Sequence, residues 1–185
     1  MKVLITGGAG YLGTVLTEEI LNRFPHAKVI VYDNLMYKQD GLFSFFKYPK
    51  DRFEFVYGDV RDKNSLLEQL QKLDKNNDYV IPLAAIVGFP ACARDEKLAT
   101  AVNFEHVKYI VQSTKCRIIY PNTNSGYGVS DGEAHCTEET PLAPISVYGR
   151  TKCDAEEWVL GAGHTSLRLA TVFGTSYRFR KDLLV

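Results

Sequence analysis

Thr6-Gly7-Gly8-Ala9-Gly10-Tyr11-Leu12-Gly13 is the segment that most restricts what this chain can fold into. It follows the apolar run Val3-Leu4-Ile5 and precedes a stretch with Leu12, Val15, Leu16, Ile20 and Leu21 at helical spacing. Gly7, Gly10 and Gly13 recur every three residues. In a strand–turn–helix unit the first glycine permits the tight turn and the second lets backbone approach a phosphate. The third lets the helix pack closely on the strand. The helix N-terminus then offers free N–H groups and a positive dipole end to a pyrophosphate. A structural turn without ligand is the competing reading, but the flanking strand and helix are the context the binding mechanism requires.

The rest of the chain repeats that alternation. Strands are expected at Lys28–Tyr32, Phe53–Tyr57, Tyr79–Leu83, Arg117–Tyr120 and Thr165–Leu169. Helices are expected at Tyr11–Arg23, Lys63–Leu73 with Asp62 as N-cap, Asp95–Thr114 and Val147–Leu160. Strands apolar throughout and separated by helices imply a parallel sheet covered on both faces, the doubly wound α/β (Rossmann) class. The 185 residues suit one domain, taken as 1–185. Two segments break the rhythm. Asn34–Arg52 is aromatic, with Leu42, Phe45 and Phe46 spaced as a short helix covering the sheet edge. Asn122–Ser146 is a long polar connection at the carboxyl end of a strand, where open α/β sheets bind ligands.

Composition excludes several classes. Lys+Arg and Asp+Glu are both 22, without the basic excess of a nucleic-acid footprint. The longest uncharged stretch, Tyr79–Ala93, is broken by Pro82, Gly88 and Pro90, so no membrane span is expected. Met1-Lys2 leads into Val3-Leu4-Ile5-Thr6 and meets glycines at once, unlike a signal peptide. Cys92, Cys116, Cys136 and Cys153 form no CxxC pair, which points to reduced thiols and a cytoplasmic protein. His26, His106, His135 and His164 have no ligand spacing, so no metal site is expected. Cys92 reads as a buried small thiol and Trp158 as helix core. Arg178, Arg180 and Lys181 read as phosphate-binding or as a solvated end.

Asp33 follows the second strand, twenty residues after Gly13. A carboxylate there can accept hydrogen bonds from adenosine ribose hydroxyls and would repel a 2′-phosphate, favouring NAD over NADP. The alternative is that Asp33 and Asn34 only start a turn. Asp59 either caps the loop after the third strand or contacts adenine. Tyr148 and Lys152 are four apart on an expected helix and share a face. A neighbouring ammonium favours the phenolate, and can bring a tyrosine into range as a general acid/base near neutral pH.

These residues, with Gly58-Asp59-Val60-Arg61-Asp62, Leu83-Ala84-Ala85, Asn103, Asn122-Thr-Asn-Ser-Gly-Tyr-Gly128 and Tyr148-Gly-Arg-Thr-Lys152, resemble the extended short-chain dehydrogenase/reductases. More narrowly, the set is similar to the NAD-dependent epimerase/dehydratase family acting on nucleotide sugars. The resemblance implies Thr123, Tyr148 and Lys152 as catalytic residues. It implies backbone contacts from Tyr11 and Leu12 to the pyrophosphate, and adenine contacts from Asp59 and Val60. Leu83, Ala84 and Ala85 would wall the cofactor, Asn103 would sit behind the active site, and Lys152 would hold the nicotinamide ribose. It further implies a nucleotide-sugar substrate, and a homodimer through the helices carrying Asn103 and Tyr148.

Departures narrow the reading. Asn124 and Ser125 replace the Asp-Glu pair that 4,6-dehydratases use in water elimination, which favours epimerisation. Pro82 stands where many relatives have histidine, and Ala170-Thr171 replaces a Phe-Asn pair of galactose-type epimerases. Lys152 is followed only by the sixth strand and a short basic tail. The expectation is therefore a cofactor half without the smaller C-terminal domain that grips the sugar nucleotide in relatives. A net dehydrogenase or reductase, and an NAD-binding module without turnover, remain open beside the epimerase reading.

Overall fold

A computed structural model describes residues 1–129 and 135–178. Six parallel strands form one sheet: β1 Lys2–Thr6, β2 Lys28–Asp33, β3 Phe53–Tyr57, β4 Tyr79–Pro82, β5 Arg117–Thr123 and β6 Thr165–Leu169. Their spatial order is β3-β2-β1-β4-β5-β6. This is the Rossmann order, in which the chain winds outward in both directions from a central crevice. β1 lies at that crevice. Thr6 pairs with Tyr32 on one side and Pro82 on the other.

Helix α1 (Tyr11–Arg23) leaves the glycine turn, and α2 (Lys63–Leu70) follows β3. Asp62 caps α2 by accepting from the N–H groups of Asn64 and Ser65, although α2 stops three residues short of Leu73. Two apolar layers result. One face of the sheet packs Leu4, Ile30, Val80 and Ile118 against Leu66, Val102 and Ile110. The other packs Ile5, Val29 and Val31 against Ile20, Leu21, Leu42 and Phe45. Leu42 and Phe45 come from a 3₁₀ turn, Gly41–Phe45, that covers the sheet edge as its spacing suggests, while Phe46 is exposed.

The helical segment expected at Asp95–Thr114 has three parts. Asp95 caps α4 (Glu96–Thr100), a π turn spans Ala101–Glu105, and α5 (His106–Ser113) follows. A further short helix, α3 (Phe89–Arg94), precedes it and was not expected. Helix α6 (Val147–Gly161) begins at Ser146, whose Oγ accepts from Gly149 N–H. Trp158 corrects an expectation: it is 38% exposed, with the Lys108 ammonium 4.5 Å from its ring. Among the described residues no helix is long and apolar enough to cross a membrane. Arg180 and Lys181 lie outside the described residues.

His106 is buried at the start of α5, and neither ring nitrogen closes a well-formed hydrogen bond among the described residues. Burial pushes its pKa down to about 3; the Val102 backbone opposes this and the Lys152 charge adds to it. The ring is therefore neutral in the fold, whereas an unfolded histidine titrates near 6.5. Stability is complete above pH ~6.5 and falls as the pH drops towards ~3. Urea unfolding midpoints at neutral and acid pH should show that loss, and His106→Leu should flatten it.

Candidate active site

The crevice beside β1 opens into a cleft of about 340 Å³. Its floor is the glycine turn. Gly7 has φ +70°, and a Cβ there would stand 2.4 Å from the Ala84 backbone nitrogen. A Cβ on Gly13 would stand 2.5 Å from Gly8 Cα, so α1 can seat on the turn only without a side chain there. Gly10 is the N-cap of α1 and supplies no capping side chain. The first N–H groups of α1 are thus not capped from that position, and the dipole end faces the cleft.

Asp33 stands at the end of β2, buried, on the wall of the cleft. Its Oδ2 accepts from Ala9 N–H (3.0 Å) and its Oδ1 from Leu35 N–H (2.8 Å). Burial raises its pKa, while those two N–H groups and the charge of Arg178 pull it back. Turn-forming and cleft-lining roles coincide in one carboxylate, with lone pairs left for a ligand hydroxyl. Asp59 also does both. It accepts from Arg61 Nη2 (2.7 Å), Arg61 N–H (2.9 Å) and Asn34 Nδ2 (3.0 Å), and it lines the cleft beside Val60. The Arg61 guanidinium holds its pKa down at about 2. Asn34, Leu83, Ala84, Ala85, Tyr11 and Leu12 complete the expected lining.

A second cluster lies where β5 meets α6. Lys152 is buried, and its Nζ donates to the Pro121 carbonyl (2.7 Å) while lying 4.0 Å from the centre of the Tyr120 ring. Burial lowers its pKa to about 7, with the Glu156 charge acting the other way. Tyr148 stands one turn earlier on α6, half-buried against the core. Thr123 ends β5. Its Oγ1 accepts from Ser125 N–H (3.2 Å) and donates to Ser125 Oγ (3.1 Å), capping the 3₁₀ turn Asn124–Tyr127.

The family model for the NAD-dependent epimerase/dehydratase family matches residues 3–183. The chain belongs to that family. It is 29% identical to the uncharacterized UDP-glucose epimerase YtcB of Bacillus subtilis, over 96% of this chain and 58% of that protein. It is also 29% identical to the CDP-paratose 2-epimerase of Salmonella typhi, over 86% of this chain and 52% of the relative. Among solved structures, the UDP-glucuronic acid 4-epimerase from Bacillus cereus in complex with NAD matches with a TM-score of 0.81 and 26% identity. That match covers 94% of this chain and 57% of that one. The chain thus spans little more than half the length of these relatives.

As a member of this NAD-dependent family, the chain brings twelve of its expected cofactor residues to one cleft: Gly7, Gly10, Tyr11, Leu12, Gly13, Asp33, Asn34, Asp59, Val60, Leu83, Ala84 and Ala85. Asn103 is placed behind that wall. Its side chain accepts from Ile86 N–H (2.8 Å) and donates to the Ile86 carbonyl (3.0 Å) and to Thr151 Oγ1 (3.3 Å). It ties the wall to α6. Tyr148 and Lys152 do not line the cleft either. Cys92 is fully buried and donates to the Ile86 carbonyl. Among the described residues no cluster of His, Cys, Asp or Glu could hold a metal ion.

Sequence reasoning missed three participants. Tyr120 and Pro121 form the seat of Lys152. Alternation along β5, with Ile118, Tyr120 and Asn122 buried on one face, was the available signal for Tyr120. Tyr37 lines the cleft with its ring under Arg178. It lies in the irregular segment after β2, where no periodicity marks it.

Proposed function

We propose that this chain is the NAD-binding, acid/base-bearing part of a nucleotide-sugar epimerase-like oxidoreductase. The observation that carries the reading is one crevice holding the collision-tight glycine turn, the N-terminal end of α1 with glycine as its N-cap, and the Asp33 carboxylate. These features fit a dinucleotide: N–H groups for the pyrophosphate, a carboxylate for the adenosine ribose, and Asp59 and Val60 for adenine. NAD bound there supplies a reversible acceptor for the hydride of a sugar carbinol carbon.

The chain's own residues handle the proton. Tyr148 takes it from the sugar hydroxyl and returns it. Lys152, with a pKa near neutrality, gains a proton as the neighbouring phenolate forms, and so stabilises it. The Pro121 carbonyl and the Tyr120 ring face hold that ammonium in place. Thr123 presents its hydroxyl to the sugar oxygen. Turning its hydrogen away from Ser125 costs one neutral hydrogen bond, about 0.5–1.5 kcal/mol. Asn124 and Ser125 place no carboxyl beside Thr123, which supports epimerisation over dehydration. Pairing of two copies through α5 and α6 and a cytoplasmic location belong to the same reading.

Calorimetric titration with NAD tests the first step, and should give saturable binding. Incubation with UDP-hexoses, followed by NMR, tests the second. An inverted carbinol centre without net NADH is expected. NADH accumulating one-for-one with product would replace the epimerase by a dehydrogenase.

A further inference from the structure

The cleft is poor in positive charge for a ligand that carries a pyrophosphate. Asp33 and Asp59 both line it, and Arg61 is engaged with Asp59. Among the described residues one cationic side chain lines the cleft, Arg178. It lies far from the glycine turn in sequence, and a strap brings it there. The Gly174 carbonyl accepts from Tyr11 Oη (2.7 Å), and Ser176 Oγ donates to the Tyr11 carbonyl (2.7 Å). Tyr177 Oη donates to Glu18 (2.8 Å), and its ring meets Phe45 edge-on at 5.6 Å. The chain is thus pinned along the first two turns of α1, directly before Arg178.

The guanidinium itself is stacked on Tyr37, 4.3 Å from the ring centre. A Cβ on Gly10 would lie 3.9 Å from its Nη1, so it stands beside the N-cap of α1. It forms no ion pair among the described residues, although its charge reaches Asp33. An arginine held by its ring partner and its strap, with N–H donors turned to a cleft, is pre-organised for a phosphate.

We propose that Arg178 is a cofactor-phosphate ligand: the strap across α1 holds its guanidinium beside Gly10, where it pairs with a phosphate of the bound dinucleotide. This rests on the NAD reading above. Two phosphates have the required chemistry: the pyrophosphate of NAD and NADP, and the 2′-phosphate of NADP. The second would be offset by Asp33, so the pyrophosphate is the expected partner.

The test is calorimetry with NAD, NADP and adenosine on the parent chain, Arg178→Ala and Arg178→Lys. NAD affinity should fall about 10- to 100-fold in Arg178→Ala, adenosine affinity should be unchanged, and Arg178→Lys should recover part of the loss. The salt dependence of NAD binding should become shallower in Arg178→Ala. A loss confined to NADP would assign the arginine to the 2′-phosphate instead. Equal or tighter binding of both dinucleotides by Arg178→Ala, with the parent chain binding NAD normally, would overturn this inference and leave the NAD reading intact. A parent chain that fails to bind NAD would sink both. Thermal unfolding of each variant controls for folding, and Arg178, near the surface and outside the core clusters, should leave the midpoint unchanged.

Discussion

Tyr148→Phe is expected to bind NAD within about twofold of the parent chain and to lose about 10²–10⁴-fold in the rate of hydride transfer from a nucleotide sugar. The substitution removes one oxygen and keeps the ring, which packs half-buried against the core beside Val147. Tyr148 does not line the cleft that holds the adenosine and pyrophosphate features, so most of the binding surface is untouched. What is lost is the group that shuttles the proton. Lys152 cannot replace it: the amine is buried, donates to the Pro121 carbonyl and lies against the Tyr120 ring. Binding measured by calorimetry and single-turnover reduction of NAD measured by absorbance separate the two effects. A parallel fall in affinity and rate would mean that Tyr148 serves to seat the cofactor, not to move a proton.

How much of this was legible in the sequence depends on where the information lies. The glycine turn and the strands beside it are local: β-branched runs and glycines at fixed spacing determine them without help from the rest of the chain. The π turn at Ala101–Glu105 is different. It lies where Asn103 binds Ile86 and Thr151, partners 17 and 48 residues away, and no local pattern announces it. Trp158 was misplaced for an instructive reason. The inward stripe of α6 includes Thr151, Lys152 and Glu156, all buried. Each is satisfied by a distant partner: Asn103, Pro121 and Arg168. A polarity pattern therefore turns the wrong face of this helix inward. The strap that delivers Arg178 is equally non-local, since its anchors Tyr11, Glu18 and Phe45 are all early in the chain.

The polar stripe on α6 also predicts a large stability effect. Glu156 has a side chain only 3% exposed and is met by Arg168 Nε at 3.1 and 3.0 Å, with Ser166 Oγ donating as well. Arg168 continues from β6 to Tyr127 Oη (3.2 Å) and to the Glu138 carbonyl (3.0 Å). One guanidinium thus joins the helix of Tyr148 and Lys152, the edge strand and the turn that begins at Thr123. Arg168→Leu would leave a buried carboxylate without its cation, and should cost about 3–5 kcal/mol in urea unfolding. The loss belongs to the orphaned charge more than to the missing bond, so Glu156→Leu/Arg168→Leu should regain most of it. A deficit below ~1 kcal/mol would show that Ser166 and penetrating water satisfy Glu156 without Arg168.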